Sequence, residues 1–436
     1  MELNEPSAKY LVSAGFKRSE VGDIPVEWKV STIGALAVTS SGTTPSRSQQ
    51  ERYYLNGTVP WVKTLDLNNG LIHETDEKVT EAALKETSLQ PYPAGSVLVA
   101  MYGGYNQIGR TGLLTQSAAV NQAITAVRPK QGQLDSGYLL RVLNFRVDYW
   151  KAVASSSRKD PNITSKDVRA FPLAAPALDE QRAIAIALAD ADALIESLEQ
   201  LLAKKRQIKQ GAMQELLTGR QRLPGWQQEW ARKPMGELFD FSGGVSASRD
   251  QLGMAGHAYL HYGDIHMSNK NHVHVTTEWP DLPKLDVPLN KVGTGALLAD
   301  GDVVFVDASE DDEGTSKHMV VVNPKQLPFI SGLHTIVAKP KTGELVDLYK
   351  RYCFQTNAVK EQFRFYAVGT KVSGVSKSNI RKISILVPSP EEQTAIATIL
   401  SDMDTEITAL EARLTKARQL KQGMAQALLT GRIRLV

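Results

Sequence analysis

The most regular feature of the chain is a long helical pattern of apolar residues that occurs twice. Spacings of three and four dominate both copies, which is typical of a long helix that packs as a coiled coil. A proline precedes each copy (Pro176, Pro390), and a glycine followed by arginine ends it (Gly219, Gly431). The apolar residues form a narrow stripe along each helix, so each helix needs another helix to pack against. The apolar positions are Ile184, Leu188, Ala191, Ile195, Leu198, Leu202 and Leu216 in the first copy, and Ile396, Leu400, Met403, Ile407, Leu410, Leu414 and Leu428 in the second.

The two helical segments are copies of one sequence. Residues 180–223 align without a gap to residues 392–435, and 26 of the 44 aligned positions are identical. Roughly 170 residues of globular sequence separate the two copies, which favours an antiparallel helix pair related by a pseudo-twofold axis. The segments before each helix also correspond weakly: Glu27 and Trp28 match Glu229 and Trp230. The repeated unit is therefore a globular domain followed by a long helix.

Inside the globular segments, short β-branched runs separated by Gly, Asn and Asp predict strands, and longer patterns predict helices before each rod. We therefore predict an α+β fold with two similar globular domains separated by two long helices, which form an antiparallel coiled-coil spacer. The predicted domains are residues 1–174 and 223–386, and the predicted spacer segments are 175–222 and 387–436. The predicted strands are 96–100, 123–127, 303–306, 319–322 and 335–338, and the predicted helices are 136–154 and 344–366.

The composition excludes some classes of function but does not identify one. The 436 residues carry a formal net charge of +3, a weaker excess than most phosphate-gripping proteins show. The single cysteine, Cys353, excludes an internal disulfide and any multi-thiolate zinc site. No signal-peptide pattern or apolar span is present, so a cytoplasmic protein is expected. Phosphate-binding loops, dinucleotide fingerprints and methyltransferase motifs are also missing, so we expect no catalytic site and no cofactor on this chain.

Several duplicated motifs together resemble the specificity subunit of type I restriction-modification systems over essentially the whole chain. Each helix starts with Glu-Gln (180–181, 392–393), continues through Lys-Gln-Gly (209–211, 421–423) and ends with Leu-Leu-Thr-Gly-Arg (216–220, 428–432). The segments MYGGYNQIGRTG (101–112), AVNQAI (119–124) and DASEDDEGTSK (307–317) add to the likeness. Any one motif is weak, but their order and duplication are specific.

The resemblance implies a non-catalytic subunit that reads a bipartite double-stranded DNA target, one half with each globular target recognition domain. It also implies that the helices hold the two domains apart and bind two methyltransferase subunits, and that motor-nuclease subunits join the assembly. S-adenosylmethionine, ATP and magnesium are then expected on those partners. No metal is expected on this chain.

Candidate DNA-binding residues lie in the loops of both domains. The glycine-rich segment 103–112 brings together aromatic, amide and arginine side chains suited to base edges or phosphates, although an ordinary polar surface loop is the alternative. Lys159 aligns with Lys371, which makes this pair the preferred phosphate contacts, with solvated surface lysine as the alternative. Most of the acidic run 310–313 should be solvated, because it would repel phosphate. The full set is Tyr102, Tyr105, Asn106, Gln107, Arg110, Arg158, Lys159, Ser309, Lys317 and Lys371.

Candidate partner-binding residues are the polar positions of the helices that recur at the repeat offset of 212, although a merely solvated face would look similar. They are Glu180, Gln181, Lys209, Gln210, Arg220, Glu392, Gln393, Lys421, Gln422 and Arg432.

Two rival functions remain open at this point. One is a freestanding metal-dependent nuclease that uses Asp264 and a histidine cluster, although the histidine spacings fit no standard ligand set. The other is a coiled-coil scaffold that binds proteins and not DNA. The histidines are His257, His261, His266, His272 and His274.

Overall fold

The computed structural model describes residues 15–104, 106–154, 162–309, 314–369 and 373–435. It divides into two compact units, Met1–Glu199 with Arg413–Val436, and Gln200–Ala412. We call them the first and second unit. Each unit holds one globular domain and parts of both long helices. No helix within the described ranges is long and apolar enough to cross a membrane.

The first unit contains short strands and helices that precede one long helix. The strands are β1 Phe16–Ser19, β2 Gly22–Pro25, β3 Lys29–Thr32, β4 Ala37–Ser41, β5 Val59–Val62, β6 Gly70–Ile72, β7 Glu77–Val79, β8 Pro91–Tyr92, β9 Val97–Ala100, β10 Thr111–Leu114, β11 Ala118–Val120, β12 Ile124–Pro129 and β13 Pro172–Ala175. The helices are α1 Ile33–Leu36, α2 Gln50–Tyr53, α3 Glu81–Glu86, α4 Ser136–Phe145, α5 Asp148–Val153, α6 Ser165–Ala170 and α7 Leu178–Leu216, the last of which continues into the second unit.

The second unit repeats the plan. Its strands are β14 Ala231–Pro234, β15 Phe239–Gly243, β16 Leu252–Gly253, β17 His257–Leu260, β18 His272–His274, β19 Lys284–Leu285, β20 Val303–Val306, β21 Ala308–Ser309, β22 His318–Val322, β23 Phe329–Ser331, β24 Thr335–Pro340, β25 Ser373–Gly374 and β26 Ser384–Val387. Its helices are α8 Met235–Leu238, α9 Tyr262–Met267, α10 Val275–Glu278, α11 Asp347–Cys353, α12 Asn357–Tyr366, α13 Lys377–Ile380 and α14 Pro390–Leu429, which ends in the first unit.

Each domain is built around a five-stranded sheet with the same order in both copies. The first is β4-β12-β9-β10-β6 and the second is β15-β24-β20-β22-β18. The central strands β9 and β20 are buried on both faces, as their apolar sequences VLVA and VVFV require. A second, four-stranded sheet accompanies each one, in the orders β7-β5-β11-β8 and β16-β19-β17-β23. The mixed α+β class predicted from the sequence is confirmed.

A glycine allows two backbone segments to meet at the same place in both domains. A Cβ atom on Gly42 would lie 2.1 Å from the carbonyl oxygen of Val120, and one on Gly244 would lie 1.8 Å from that of Gly332. Only glycine can occupy a position this close to a neighbouring backbone. The loop after β4 or β15 is thereby held against the chain that enters β12 or β24.

The long helices pack in antiparallel fashion within each unit. In the first unit Glu199 pairs with Arg418 at 2.6 Å, and Asp192 pairs with Lys421. The shift of 212 residues converts these pairs into Glu411 with Arg206, at 2.6 Å, and Asp404 with Lys209, and both of these occur in the second unit. Residue numbers fall along one helix as they rise along the other, so the predicted antiparallel direction is confirmed.

Two predicted helices are broken in the structure. The segment 136–154 forms α4 and α5, separated at Arg146, whose guanidinium donates to the carbonyl oxygen of Pro172 and lies over the Phe171 ring. The segment 344–366 forms α11 and α12, because the side chain of Thr356 accepts the N–H of Val359 and starts a new helix. Long-range contacts accompany the first break and a side-chain cap causes the second, and the apolar periodicity of the sequence indicates neither.

Candidate nucleic-acid interface

The predicted DNA-binding loop of the first domain lies at one end of its five-stranded sheet. Strand β9 ends at Ala100 and pairs there with Ile124, the first residue of β12. The next residue of β12, Thr125, pairs with Ser41 at the end of β4. Because neighbouring strands are antiparallel, the loops that follow β4 and β9 and the loop that precedes β12 emerge side by side.

The loop after β9 is tied down by its backbone and exposes its polar side chains. Ala100 donates to the carbonyl oxygen of Arg110 at 2.8 Å, and Gly109 donates back to that of Ala100 at 2.9 Å. Ile108 is buried beneath the loop. A Cβ atom on Gly109 would lie 1.9 Å from the Trp150 ring, so this position also requires glycine.

The predicted side chains of this loop face solvent to different degrees. Tyr102 and Asn106 are exposed, and Gln107 and Arg110 are half-buried. All four are therefore accessible to a nucleic-acid strand at this edge. Tyr105, Arg158, Lys159 and Lys371 lie outside the described residues, as does the acidic run 310–313. Their predicted roles stay predictions.

Neighbouring loops contribute polar groups that were not predicted. The hydroxyl of Ser41 lies 2.7 Å from that of Ser165, which lies 3.0 Å from that of Thr125. Thr44 donates to the side-chain carbonyl of the exposed Gln122. Gln122 stands in the segment AVNQAI, so the motif that carried the family resemblance could have nominated it. Ser41 and Ser165 carry no comparable signal, because 124 residues separate them.

The same end of the second domain holds a different set of side chains. Val306 donates to the carbonyl oxygen of Lys317 at 3.0 Å, and Asp307 donates to that of His334 at 3.1 Å. The first bond corresponds to the one between Ala100 and Arg110, and the second to the one that Met101 donates to the carbonyl oxygen of Ala123 at 2.8 Å, so the architecture is repeated. The side-chain carboxylate of Asp307 lies 3.3 Å from the His334 ring, and the Tyr262 ring packs edge-on against the same histidine.

Of the three residues predicted to bind DNA in the second domain, Lys371 lies outside the described residues, and Ser309 and Lys317 both contact His266. The hydroxyl of Ser309 lies 3.0 Å from its Nε2 atom, and the Lys317 ammonium donates to its carbonyl oxygen at 2.5 Å. Ser309 is buried, whereas Lys317 is half-buried. Ser309 is thus in position to support the loop, and Lys317 in position to reach a ligand.

The histidines of the second domain were the candidate metal ligands of the rival nuclease. Within the described ranges, no three His, Cys, Asp or Glu side chains are arranged to hold a metal ion. Burial lowers the pKa of His261, and the neutral ring accepts the N–H of Gly263 at 3.0 Å. It caps α9 in this way. The histidine cluster therefore offers no support for the rival metal-dependent nuclease.

The predicted partner-binding residues separate into three groups: buried, ion-paired and exposed. Glu180, Gln181, Glu392 and Gln393 are buried and bonded within the chain. Glu180 accepts from Arg434 and Trp28, and Glu392 accepts from Arg222 and Trp230. Both glutamines tie the helix start to the domain through backbone bonds. Lys209 and Lys421 are held in the ion pairs described above. The exposed members are Gln210, Arg220, Gln422 and Arg432.

Comparison with known proteins decides the family. The sequence profile of the type I restriction modification DNA specificity domain matches residues 25–209 and 300–420. The chain belongs to this family. The MjaIX specificity subunit of Methanocaldococcus jannaschii is 30% identical over 196 residues, and the EcoR124I/EcoR124II subunit of Escherichia coli is 27% identical over 197 residues. These matches cover 43% and 46% of those proteins, which is less than half of their length.

A more distant relative aligns end to end. The putative MjaX specificity subunit of M. jannaschii is 22% identical over 445 residues, covering 96% of this chain and 97% of the relative. Among solved structures, a type I S subunit from M. genitalium has a TM-score of 0.58 at 14% identity and covers 92% of this chain and 96% of its own. A chain from a structure of a type I R-M system complex has a TM-score of 0.56 at 15% identity, covering 94% and 99%. These structures show a shared fold.

Proposed function

We propose that this specificity subunit recognises a bipartite DNA sequence, one half with each globular domain, and directs partner subunits to it in the cytoplasm. The observation that carries the proposal is the repeated arrangement of loops at one end of two equivalent five-stranded sheets. The architecture of the loops is kept, but their side chains differ. Tyr102 and Ala123 of the first domain, for example, stand where Ala308 and His334 stand in the second.

Different side chains on the same scaffold are what reading two unlike half-sites requires. Amide side chains pair with adenine, cations pair with guanine or phosphate, and carboxylates accept from cytosine. Gln107 and Gln122 therefore favour adenine contacts in the half-site of the first domain. Lys317 and Arg110 favour guanine or phosphate.

The proposal assigns chemistry to partner chains. Two methyltransferase subunits, with S-adenosylmethionine, and motor-nuclease subunits, with ATP and magnesium, would bind around the long helices. The duplicated exposed residues Gln210, Arg220, Gln422 and Arg432 supply two equivalent surfaces for two copies of one partner. In this assembly the chain itself has a recognition role and no catalytic one.

The long helices would also set the distance between the half-sites. Helix α7 has 39 residues and α14 has 40, and a rise of about 1.5 Å per residue makes each roughly 60 Å long. Ion pairs and buried apolar residues hold the two helices together in each unit, which suits a stiff spacer.

Exchange of one recognition domain tests the proposal. Residues 1–174 are replaced by the same region of a relative, and the methylated motif is read by methylome sequencing of a host that carries the partner subunits. We expect one half of the motif to change and the other half to stay. Exchange of residues 223–386 is the matched control and should change the opposite half. A change of both halves, or of neither, in either exchange would contradict the proposal.

A further inference from the structure

A basic cleft in the second unit lies beside the recognition loop that contains Lys317. It has a volume of about 740 Å³ and lies between the domain and the long helices of that unit. Five cationic side chains line it, and Asp404 is the only carboxylate among the described residues of its lining. The cations are Lys209, Lys270, Lys317, Arg351 and Lys360. This excess of positive charge favours an anionic ligand.

Arg351 is the residue that makes the cleft unusual. Its Nε atom is buried without a hydrogen-bond partner. Among the described residues, the carboxylates of Asp347 and Asp404 act on its charge at longer range, and they pair directly with Lys350 and Lys209. Burial lowers the pKa of Arg351, but an arginine remains protonated at neutral pH. A half-buried cation without a direct ion-pair partner is unfavourable unless a ligand supplies one.

A second buried group without a partner lines the same cleft. The Nε2 atom of His318 has no hydrogen-bond partner, and the side chain is 5% exposed between the rings of Phe305 and Phe354. Its Nδ1 atom faces the carbonyl oxygen of Ser316. The backbone of Lys350 and Arg351 lies beside the His318 ring, so the buried Nε atom of Arg351 is the group in this cleft that a ligand would complete.

The first domain shows that Arg351 is not needed for the fold. Asp135 and Val346 occupy equivalent positions, because the N–H of each donates to the glutamine that starts the nearby long helix, at 2.9 Å in both cases. Five residues later stand Leu140 and Arg351, respectively. Leu140 is buried in an apolar core. The arginine therefore replaces a residue that packs well, which points to a binding role.

We propose that this cleft binds a phosphate group, with Arg351 as the direct ligand and Lys270 and Lys317 at its rim. A guanidinium donates two parallel hydrogen bonds to phosphate oxygens, and lysines add charge. Lys270 is 59% exposed and already pairs with Glu278 at 2.8 Å, so it contributes through charge. Lys317 has no carboxylate partner within the described residues, and it also belongs to the proposed DNA-binding loop. The phosphate is either a phosphodiester of bound DNA or a free phosphate-bearing solute.

The first test is calorimetric titration of the full-length chain with inorganic phosphate at constant ionic strength. The variants are Arg351→Leu, which copies the first domain, and Lys270→Ala, whose exposed position carries no risk to folding. Lys325→Ala removes an equal charge from an exposed turn outside the cleft and is the control. We expect Arg351→Leu to weaken phosphate binding by about tenfold or more, Lys270→Ala to weaken it less, and the control to leave it unchanged. Equal affinities for all four proteins would overturn the proposal.

The second test distinguishes the two sources of phosphate, and only this arm rests on the proposed function. The salt dependence of DNA affinity is measured for the chain assembled with its methyltransferase partners. If the ligand is a DNA phosphodiester, Arg351→Leu lowers the slope of log K against log salt by about one unit, and inorganic phosphate competes with DNA. If it is a free solute, the slope is unchanged while the calorimetric site is lost. Absence of any DNA binding would refute the proposed function and leave the titration result standing.

Discussion

The buried carboxylate of Glu180 offers a sharp test of how each long helix is anchored to its domain. Its side chain is 1% exposed and accepts three hydrogen bonds: from Arg434 at 2.6 and 2.8 Å, and from the Trp28 indole at 3.2 Å. The change Arg434→Ala leaves a buried negative charge with only the indole as donor. A broken buried ion pair costs about 3–5 kcal/mol.

The partial exposure of Arg434 reduces this cost. Its side chain is 31% exposed, so water can enter the space that the guanidinium leaves. We therefore expect Arg434→Ala to lower the free energy of unfolding of the first unit by about 2–4 kcal/mol. Arg432→Ala is the matched control, because Arg432 lies two residues away and is exposed. Its effect should stay within about 0.5 kcal/mol.

The second unit contains an equivalent buried ion pair, which allows the same test. Glu392 is equally buried and accepts from Arg222 at 2.7 and 2.8 Å and from Trp230 at 2.9 Å. Hydrogen exchange of the central strands gives a separate reading for each unit: β9 reports on the first and β20 on the second. Arg434→Ala should lower protection in β9, and Arg222→Ala should lower it in β20.

A rescue variant tests the physical cause. If the cost comes from a stranded charge, Glu180→Gln should recover much of the stability lost in Arg434→Ala, because the amide is neutral and of the same size. A double-mutant cycle should then give an interaction energy of at least about 1.5 kcal/mol. Equal effects of Arg432→Ala and Arg434→Ala, or no recovery in the double variant, would refute this reasoning.

Three further outcomes are expected. Burial lowers the pKa of His318 from 6.5 to about 4, so the unfolded chain binds the proton more readily than the folded one. The second unit should therefore lose stability as the pH falls from about 6.5 towards 4, by up to about 3 kcal/mol. Urea denaturation at pH 7.5 and 5 checks this. His318→Thr, which copies Thr111 at the equivalent position of the first domain, should remove the contribution of His318, while the contribution of the lowered pKa values of His261 and His272 stays. Lys159→Ala and Lys371→Ala should each lower the salt slope of DNA binding by about one unit, measured by titration across salt concentrations; unchanged slopes would remove both from the interface. Insertion of four residues between Gln214 and Leu217 should keep both half-motifs and lengthen the gap between them by one or two base pairs, since four helical residues add about 6 Å. Methylome sequencing reads the gap, and an unchanged gap with full activity would show that the helices do not set it.

Local patterns in the sequence were sufficient for the elements and their repetition. The apolar spacing of 184–216 and 396–428 predicted long helices, because one buried face imposes the helical period on any sequence. Buried runs such as 303–306 predicted strands for a similar reason. The family resemblance rested on duplicated motifs that are visible without a structure.

Long-range contacts decided which of the duplicated polar residues of the long helices face solvent. Glu180 and Glu392 look like exposed first-turn acids in the sequence, yet both are buried beneath an arginine and a tryptophan. Trp28 lies 152 residues from Glu180, and Arg434 lies 254 residues away. Local sequence patterns do not predict these contacts, because only the fold of the whole unit brings the residues together.

The candidate binding residues were also predicted only in part from the sequence. The sequence by itself determined that the loop 101–112 carries groups suited to DNA, since Gly, Asn, Gln and Tyr residues are concentrated there. Only the tertiary structure brought Ser41, Gln122 and Ser165 to the same edge, and only it showed that Arg351 is half-buried with no hydrogen-bond partner for its Nε atom. Burial and hydrogen-bond satisfaction depend on every neighbour in space, and most of those neighbours are distant along the chain.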